Sequence, residues 1–343
     1  MSGPIGYAVI GAGLVGPKHA EFVELIDGAE VRAICDLRED RGRALAERHG
    51  ATWLADYREL AERDDIQAVS ICLPTSLHLE VAETLAAAGK HLLVEKPLET
   101  DPARARRLIE TCRSNGVKLA TIFNRRFVHG TKTLQRAVAA GRLGRILVAD
   151  MIFKSWRPAE YYSDSGWRGT WAQEGGGALI NQGIHGVDLM TWIAGPIVRV
   201  QAVSRHLRHD HIEADDTTIA VCEYASGAVG VIQGTTSIYP RQLDRIEVHG
   251  EHGSVFLEDY KISKWQLEGS EPDPPDQQLE HLPGGRDGTS VGHYLQLADL
   301  IAAIREDRDP VITGEAALPS LAVVQAIYTS ARDRRPVDVP APH

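Results

Sequence analysis

Three glycines, an aspartate, a lysine and a histidine carry the chemistry that this chain announces. Gly11, Gly13 and Gly16 stand in G-x-G-x-x-G spacing, directly after an apolar run over residues 5–10 and ahead of a helical pattern in Phe22, Leu25 and Ile26. A second apolar run over residues 31–35 ends at Asp36. Gly11 permits the tight turn, Gly13 lets the backbone approach a pyrophosphate, and Gly16 lets helix and strand pack closely. The helix N-terminus, entered through Leu14 and Val15, offers N–H groups and a positive dipole end to phosphates. Asp36 is placed to accept hydrogen bonds from a ribose diol. The glycine triplet alone is a weak signal; strand, triplet, helix, strand and terminal acid in sequence point to a dinucleotide.

Further apolar runs end in polar groups: residues 67–73 before Pro74 and Thr75, residues 91–94 before Glu95 and Lys96, and residues 117–123 before Asn124. His78 falls in the first helical turn after one of these ends. Strands alternating with helices imply a doubly wound parallel sheet, which binds ligands at the carboxyl ends of its strands. Lys96 stands out because it follows a strand end and precedes Pro97, which fixes the turn.

A second chemical stretch spans residues 175–195, GGGALINQGIHGVDLMTWIAG. At ~100° per residue Asn181, His185, Asp188 and Trp192 share one helix face, and Ile180, Ile184 and Val187 another. Polar groups behind three glycines suggest close approach to a ligand. Trp156, Trp167, Trp171 and Trp192 lie in or near the same region, interleaved with Lys154, Arg157, Tyr161, Tyr162 and Arg168. Flat aromatic faces beside hydrogen-bonding groups suit a polyhydroxylated ring; packing under a long loop is the plainer account of any one tryptophan. His206, His209, Asp210 and His211 are close in sequence but lack the further, defined ligand that a tetrahedral metal site needs. They read as a solvated loop, and no metal is expected.

The elements that must position these groups fall into two parts. After residue 123 the strand–helix alternation stops, and a helix leads to a long strand, a loop over 158–174, the helix carrying His185, and a succession of strands. Such a succession indicates a mostly antiparallel sheet, one face of which a second subunit is expected to cover. Residues 269–288, rich in Pro, Gly and Asp, read as a mobile loop, and helices near 290–305 and 315–332 close the chain. The fold class is therefore α/β, with residues 1–123 as the dinucleotide-binding domain and 124–343 for substrate binding and oligomerisation, a last segment packing back on the first domain. A net charge of −10 argues against nucleic acid, and no run approaches the ~20 apolar residues of a membrane span. The first strand begins almost at once, leaving no visible signal peptide. Cys35, Cys72, Cys112 and Cys222 show no metal-ligand spacing. A reducing cytoplasm is the expected compartment.

At this point the residues resemble the Gfo/Idh/MocA oxidoreductases, through GAGLVG at 11–16, Glu95-Lys96-Pro97, and the GGG helix with His185 and Asp188. The resemblance implies an N-terminal Rossmann domain, a C-terminal α+β domain with an open sheet, and homodimers or homotetramers. It implies NAD- or NADP-dependent oxidation of a secondary alcohol on a sugar or cyclitol, or the reverse reduction. By motif matching Lys96 and His185 are the catalytic pair. Asn181, Asp188, Lys154, Arg157, Tyr161, Trp167 and Arg168 are the candidate substrate contacts. Gly11, Gly13, Leu14, Val15, Gly16, Asp36, Arg38, Pro74, Thr75, His78, Glu95, Lys96 and Asn124 are the candidate cofactor contacts. NAD is favoured by Asp36, although Arg38 is a side chain that accommodates a 2′-phosphate. Many members carry Asp where this chain has Asn181. Two other activities within the resemblance are an NAD-retaining glycosidase and a non-catalytic dinucleotide sensor.

Overall fold

The computed structural model describes residues 3–269, 282 and 289–341. The chain divides into two compact units, the first holding residues up to Asn124 and a later stretch ending at Ala317, the second holding the rest.

The first unit begins with β1 (Ile5–Ile10), α1 (Gly16–Glu24), β2 (Ala29–Cys35), α2 (Glu39–Arg48) and β3 (Thr52–Leu54). β4 (Ala68–Ile71), α3 (His78–Ala87), β5 (His91–Val94), α4 (Pro102–Ser114) and β6 (Leu119–Thr121) follow. The strands form one sheet in the order β3-β2-β1-β4-β5-β6, every pair parallel. All six residues of β1 are buried, which is why a central parallel strand reads as an unbroken apolar run rather than an alternation. Residues 57–62 form a 3₁₀ turn, and the short β3 had no signal of its own.

The second unit runs through α5 (His129–Ala139), β7 (Ile146–Lys154), α6 (Glu160–Ser163), α7 (Ile184–Ile193), β8 (Ile197–Arg205), β9 (Thr217–Tyr224), β10 (Val229–Thr235), β11 (Arg245–Gly250), β12 (Gly253–Glu258) and β13 (Lys261–Leu267). Next in the chain comes α8 (Thr289–Glu306), which belongs to the first unit, then α9 (Leu318–Asp333) and β14 (Val337–Asp338) in the second. Eight strands align as β13-β12-β11-β7-β10-β9-β8-β14. Only β7 with β10 is parallel. Burial alternates along β9 and β10, as a sheet with one covered face requires. α7 and α9 supply the cover.

α8 contributes Leu297, Leu300, Ile301 and Ile304 to the core that also holds Phe22 and Val23 of α1 and Ile26 just after it. Its Gln296 accepts from the Phe123 N–H at 3.0 Å and donates to the Thr121 carbonyl. An amide side chain thereby satisfies the open edge of β6. The expected loop at 269–288 lies outside the described residues, apart from residues 269 and 282.

Candidate active site

The parallel order puts the carboxyl ends of the first unit's strands on one edge, and the winding reverses between β1 and β4. Gly11 to Val15 follow β1 at this switch point. A Cβ at Gly16 would overlap the Gly11 carbonyl, so only glycine lets α1 descend so close to β1. A Cβ at Gly13 would meet nothing, so the loop turns this glycine towards open space. No side chain caps α1 and no acid sits in its first turn, which leaves its positive end for an anion. Asp36 is buried; its carboxylate accepts from Ala12 N at 2.6 Å, Arg38 N at 2.8 Å and Arg41 Nε at 2.9 Å. It therefore shapes the glycine loop and, with about four acceptor positions, retains one for a diol. The Arg38 guanidinium turns to Asp40 at 3.2 Å, and Arg41, which the sequence did not single out, takes the place beside Asp36. These groups fit a dinucleotide.

Thr75 is buried in a 3₁₀ turn that starts just after Pro74, past the end of β4. His78, expected at the cofactor, instead clamps two loops: its ring nitrogens face the Leu73 and Leu98 carbonyls, each at 3.1 Å. Glu95 is buried at the end of β5, and its Oε2 accepts from the Lys96 N–H at 3.1 Å. Lys96 is half-buried. Asn124 is fully buried, with its amide 2.9 Å from His293 Nδ1.

In the second unit residues 179–183 form a π-helical turn that continues into α7. Asn181 is on the wide turn and His185, half-buried, is the second residue of α7. The glycines ahead of them serve packing rather than ligand approach. Gly176, at φ +152°, leaves room for the Tyr328 ring, and a Cβ on Gly177 would overlap the Asp215 carbonyl. The Tyr328 oxygen accepts from Gly177 N at 3.0 Å and Ile180 N at 3.2 Å, satisfying N–H groups that a helix start leaves over.

Asp188 departs from its expected role. It is fully buried and held by both arms of the Arg126 fork, at 2.8 and 2.5 Å. Burial pushes its carboxyl up and Arg126 opposes this, so its oxygens tie α7 to the segment before α5 rather than reaching for hydroxyls. Tyr161 is the centre of the polar cluster. The Arg168 and Arg157 guanidinium carbons lie 4.3 and 5.1 Å from its ring centre. Its hydroxyl oxygen accepts from Gln182 Nε2 at 2.8 Å and Asn181 Nδ2 at 3.4 Å. Arg157 also donates to Gln182 at 2.8 Å, and Arg168 stands 4.9 Å from the Trp167 ring centre. Asn181 donates to the buried Glu174, whose other oxygen accepts from Gly169 N. Lys154 is half-buried at the end of β7. The arrangement offers aromatic faces, two guanidinium groups and several amides, with His185 four residues past Asn181.

Residues 5–123 match the family described as "Oxidoreductase family, NAD-binding Rossmann fold", and residues 131–256 match "GFO/IDH/MocA C-terminal domain". The chain is 32% identical to the myo-inositol 2-dehydrogenase of Thermotoga maritima, over 96% of this chain and 97% of that one. The chain belongs to the GFO/IDH/MocA family. It is 27% identical to the scyllo-inositol 2-dehydrogenase (NAD(+)) of Bacillus subtilis, over 99% of this chain and 97% of that one. Among solved structures, the WlbA dehydrogenase of Bordetella pertussis in complex with NADH and UDP-GlcNAcA has a TM-score of 0.90 and 30% identity, over 99% of each chain. This GFO/IDH/MocA chain is thus an NAD-binding oxidoreductase, with the α/β architecture expected. Among the described residues no helix is long and apolar enough to cross a membrane.

Several residues of this family member escaped sequence reasoning: Arg41, Arg126, Glu174, Gln182, Asp215 and Tyr328. Only Glu174 had a local cue, standing immediately before the three glycines. The 206–211 stretch wraps Asp216, whose carboxylate accepts from the backbone of Leu207, Arg208 and His209. His209 is buried against Tyr162, with 5.0 Å between ring centres, whereas His206 and His211 are exposed.

Asp215 gives a pH prediction. Burial pushes its carboxyl up to about 6, against a hydrogen bond from Thr218 at 2.6 Å. The folded state then holds this proton more tightly than the unfolded state. The contribution is fully present below the unfolded pKa and is lost as pH rises through the folded one. Between pH ~4 and ~7 the expected loss is on the order of 2–3 kcal/mol. Asp215→Asn should flatten that branch in urea melts across the same range. An equal slope in both proteins would show that Asp215 is solvated.

Proposed function

We propose that this chain oxidises a secondary alcohol of a sugar, sugar derivative or cyclitol to a ketone, or runs the reverse reduction, with NAD as hydride partner. The observation that carries this reading is the near-full-length likeness to an inositol dehydrogenase. The aromatic and guanidinium groups around Tyr161 support it, since they suit hydroxyls and a ring face. NAD, when bound, accepts the hydride. The glycine loop and the start of α1 hold its pyrophosphate and Asp36 its ribose diol. His185 takes the hydroxyl proton, a task for which a histidine's ordinary pKa of about 6.5 is suited. Lys96 supplies positive charge to the developing alkoxide. Asn181, Tyr161, Trp167, Arg157, Arg168 and Lys154 orient the ring.

The test is a screen of inositols, aldoses, sugar acids and nucleotide-linked sugar acids with NAD, following NADH absorbance. The last class belongs in it because of the WlbA likeness and the cations around Tyr161. Net NADH with a ketone product supports the dehydrogenase. Glycoside cleavage without net NADH would assign the chain to the NAD-retaining hydrolases, and binding without turnover to the sensors.

Cofactor preference follows from Asp36. NAD should bind better than NADP, because the carboxylate repels a 2′-phosphate. Asp36→Ser should weaken NAD by about 10–100-fold, as expected for charge-assisted hydrogen bonds. It should also improve NADP relative to NAD by releasing Arg41. Fluorescence titration with both dinucleotides checks this; equal binding of the two by the wild type would defeat the assignment.

The second unit also carries the proposed oligomer surface. Val203, Ile219, Val221 and Val229 are exposed on the uncovered face of the sheet, where a homodimer or homotetramer would bury them. A monomer in sedimentation velocity at micromolar concentration would refute this.

A further inference from the structure

We propose that Glu95 is a positioning residue for Lys96: a buried carboxylate, pinned between two histidines, that fixes the Lys96 backbone and holds its ammonium charged. This rests on the reading of Lys96 as the group that stabilises the alkoxide.

Glu95 is buried within the first unit. Glu95 Oε1 lies 3.2 Å from His19 Nε2 on α1 and 3.9 Å from His293 Nε2 on α8, while Oε2 accepts from the Lys96 N–H at 3.1 Å. Each ring is braced from behind. His19, fully buried, has Nδ1 2.8 Å from the Ser70 hydroxyl, which is itself 2.8 Å from the Tyr7 hydroxyl on β1. His293 has Nδ1 2.9 Å from the Asn124 amide. The Cys72 thiol, just past β4, also faces Glu95, whose charge helps burial push that thiol up. Two helices therefore reach this one carboxylate, and β4 and β1 brace one of them.

Burial works to raise the Glu95 carboxyl. The hydrogen bond from His19 and the charges of His19, His293 and Lys96 outweigh it and hold the group down at about 2. Attraction between two charges is mutual: if the Lys96 ammonium favours ionised Glu95, ionised Glu95 favours the ammonium. In a buried setting salt screens this little. A carboxylate placed merely to fill the core would not need two imidazole neighbours, an adjacent lysine and a bond to the neighbouring backbone. The ligand atoms of His19, Glu95 and His293 lie within 4.8 Å of one another, but the 3.2 Å imidazole–carboxylate contact already satisfies its groups as a hydrogen bond.

The experiment uses the full chain and Glu95→Gln, which keeps the shape and removes the charge. The first readout needs no substrate: competitive acetylation of Lys96 by acetic anhydride against pH, quantified on the Lys96 peptide by mass spectrometry. The labelling midpoint should fall by about one unit in Glu95→Gln. With a substrate in hand, kcat should fall about 10–100-fold while KM and NAD affinity stay within about twofold. Glu95→Asp should recover most of the midpoint, which a purely structural role would not predict. If Glu95→Gln does not fold, the wild type alone decides: a Lys96 midpoint at or above that of an ordinary lysine peptide supports the proposal, and one below it overturns it. An unchanged midpoint in Glu95→Gln also overturns it, as does stoichiometric zinc that disappears in that variant. A shifted midpoint in a chain that oxidises nothing would remove the dehydrogenase reading and leave the coupling standing. Normal turnover in Glu95→Gln beside an inactive Lys96→Ala would do the reverse.

Discussion

Lys96→Ala should lose about 10²–10³-fold in kcat, the loss found when one donor to a developing oxyanion is removed, with NAD affinity nearly unchanged. The separation follows from what the side chain is asked to do. In the proposed reading NAD is held by the glycine loop, the start of α1 and Asp36, none of which needs Lys96. The ammonium matters when negative charge grows on the substrate oxygen, so its loss is felt in the transition state more than in binding. Lys96→Arg should recover only part of the rate, because a planar guanidinium presents its charge differently from a compact ammonium. Steady-state kinetics with the true substrate, together with NAD titration, check the claim. A Lys96→Ala enzyme that kept most of its turnover would make Lys96 a surface or structural residue and end the proposed mechanism.

The dinucleotide-binding half was legible because its signals are local. Buried parallel strands leave unbroken apolar runs, and the Gly11-Gly13-Gly16 turn and Asp36 lie within one β–α–β passage. The helix carrying His185 was less so, because its partners come from far along the chain. The polar stripe Asn181, His185, Asp188 is present in sequence, but Asp188 is claimed by Arg126, 62 positions earlier. Nothing in helical periodicity announces such a partner. The glycines at 175–177 suggested a ligand, whereas Tyr328, about 150 positions later, and Asp215 occupy the space. The π-helical turn at 179–183 was invisible for a related reason. The backbone just ahead of and within it is bonded by Tyr328 and Asp215, both far along the chain. His78 misled because a histidine at a strand end is equally suited to tying loops together.

His185→Ala should lose about 10²–10⁴-fold in the oxidation rate, the range for a general base, together with the pH dependence of kcat. The surroundings in the second unit favour His185 as the terminal base. Asn181 cannot take a proton and donates its amide to Glu174. Asp188 is occupied by Arg126. Wild-type oxidation should therefore rise with pH through the deprotonation of one group and then level off. In His185→Ala the rise should vanish, and added imidazole should restore part of both rate and rise. Asn181→Asp should move the wild-type midpoint upward, since a carboxylate near an imidazole favours the charged ring. The shift should be about one unit or less, because the new carboxylate would sit against Glu174 and the two would share a proton. The measurement is kcat against pH for the three proteins. A His185→Ala profile that kept the wild-type rise would take the base role from His185 and pass it to Lys96. An unmoved midpoint in Asn181→Asp would show that this position and His185 are not coupled.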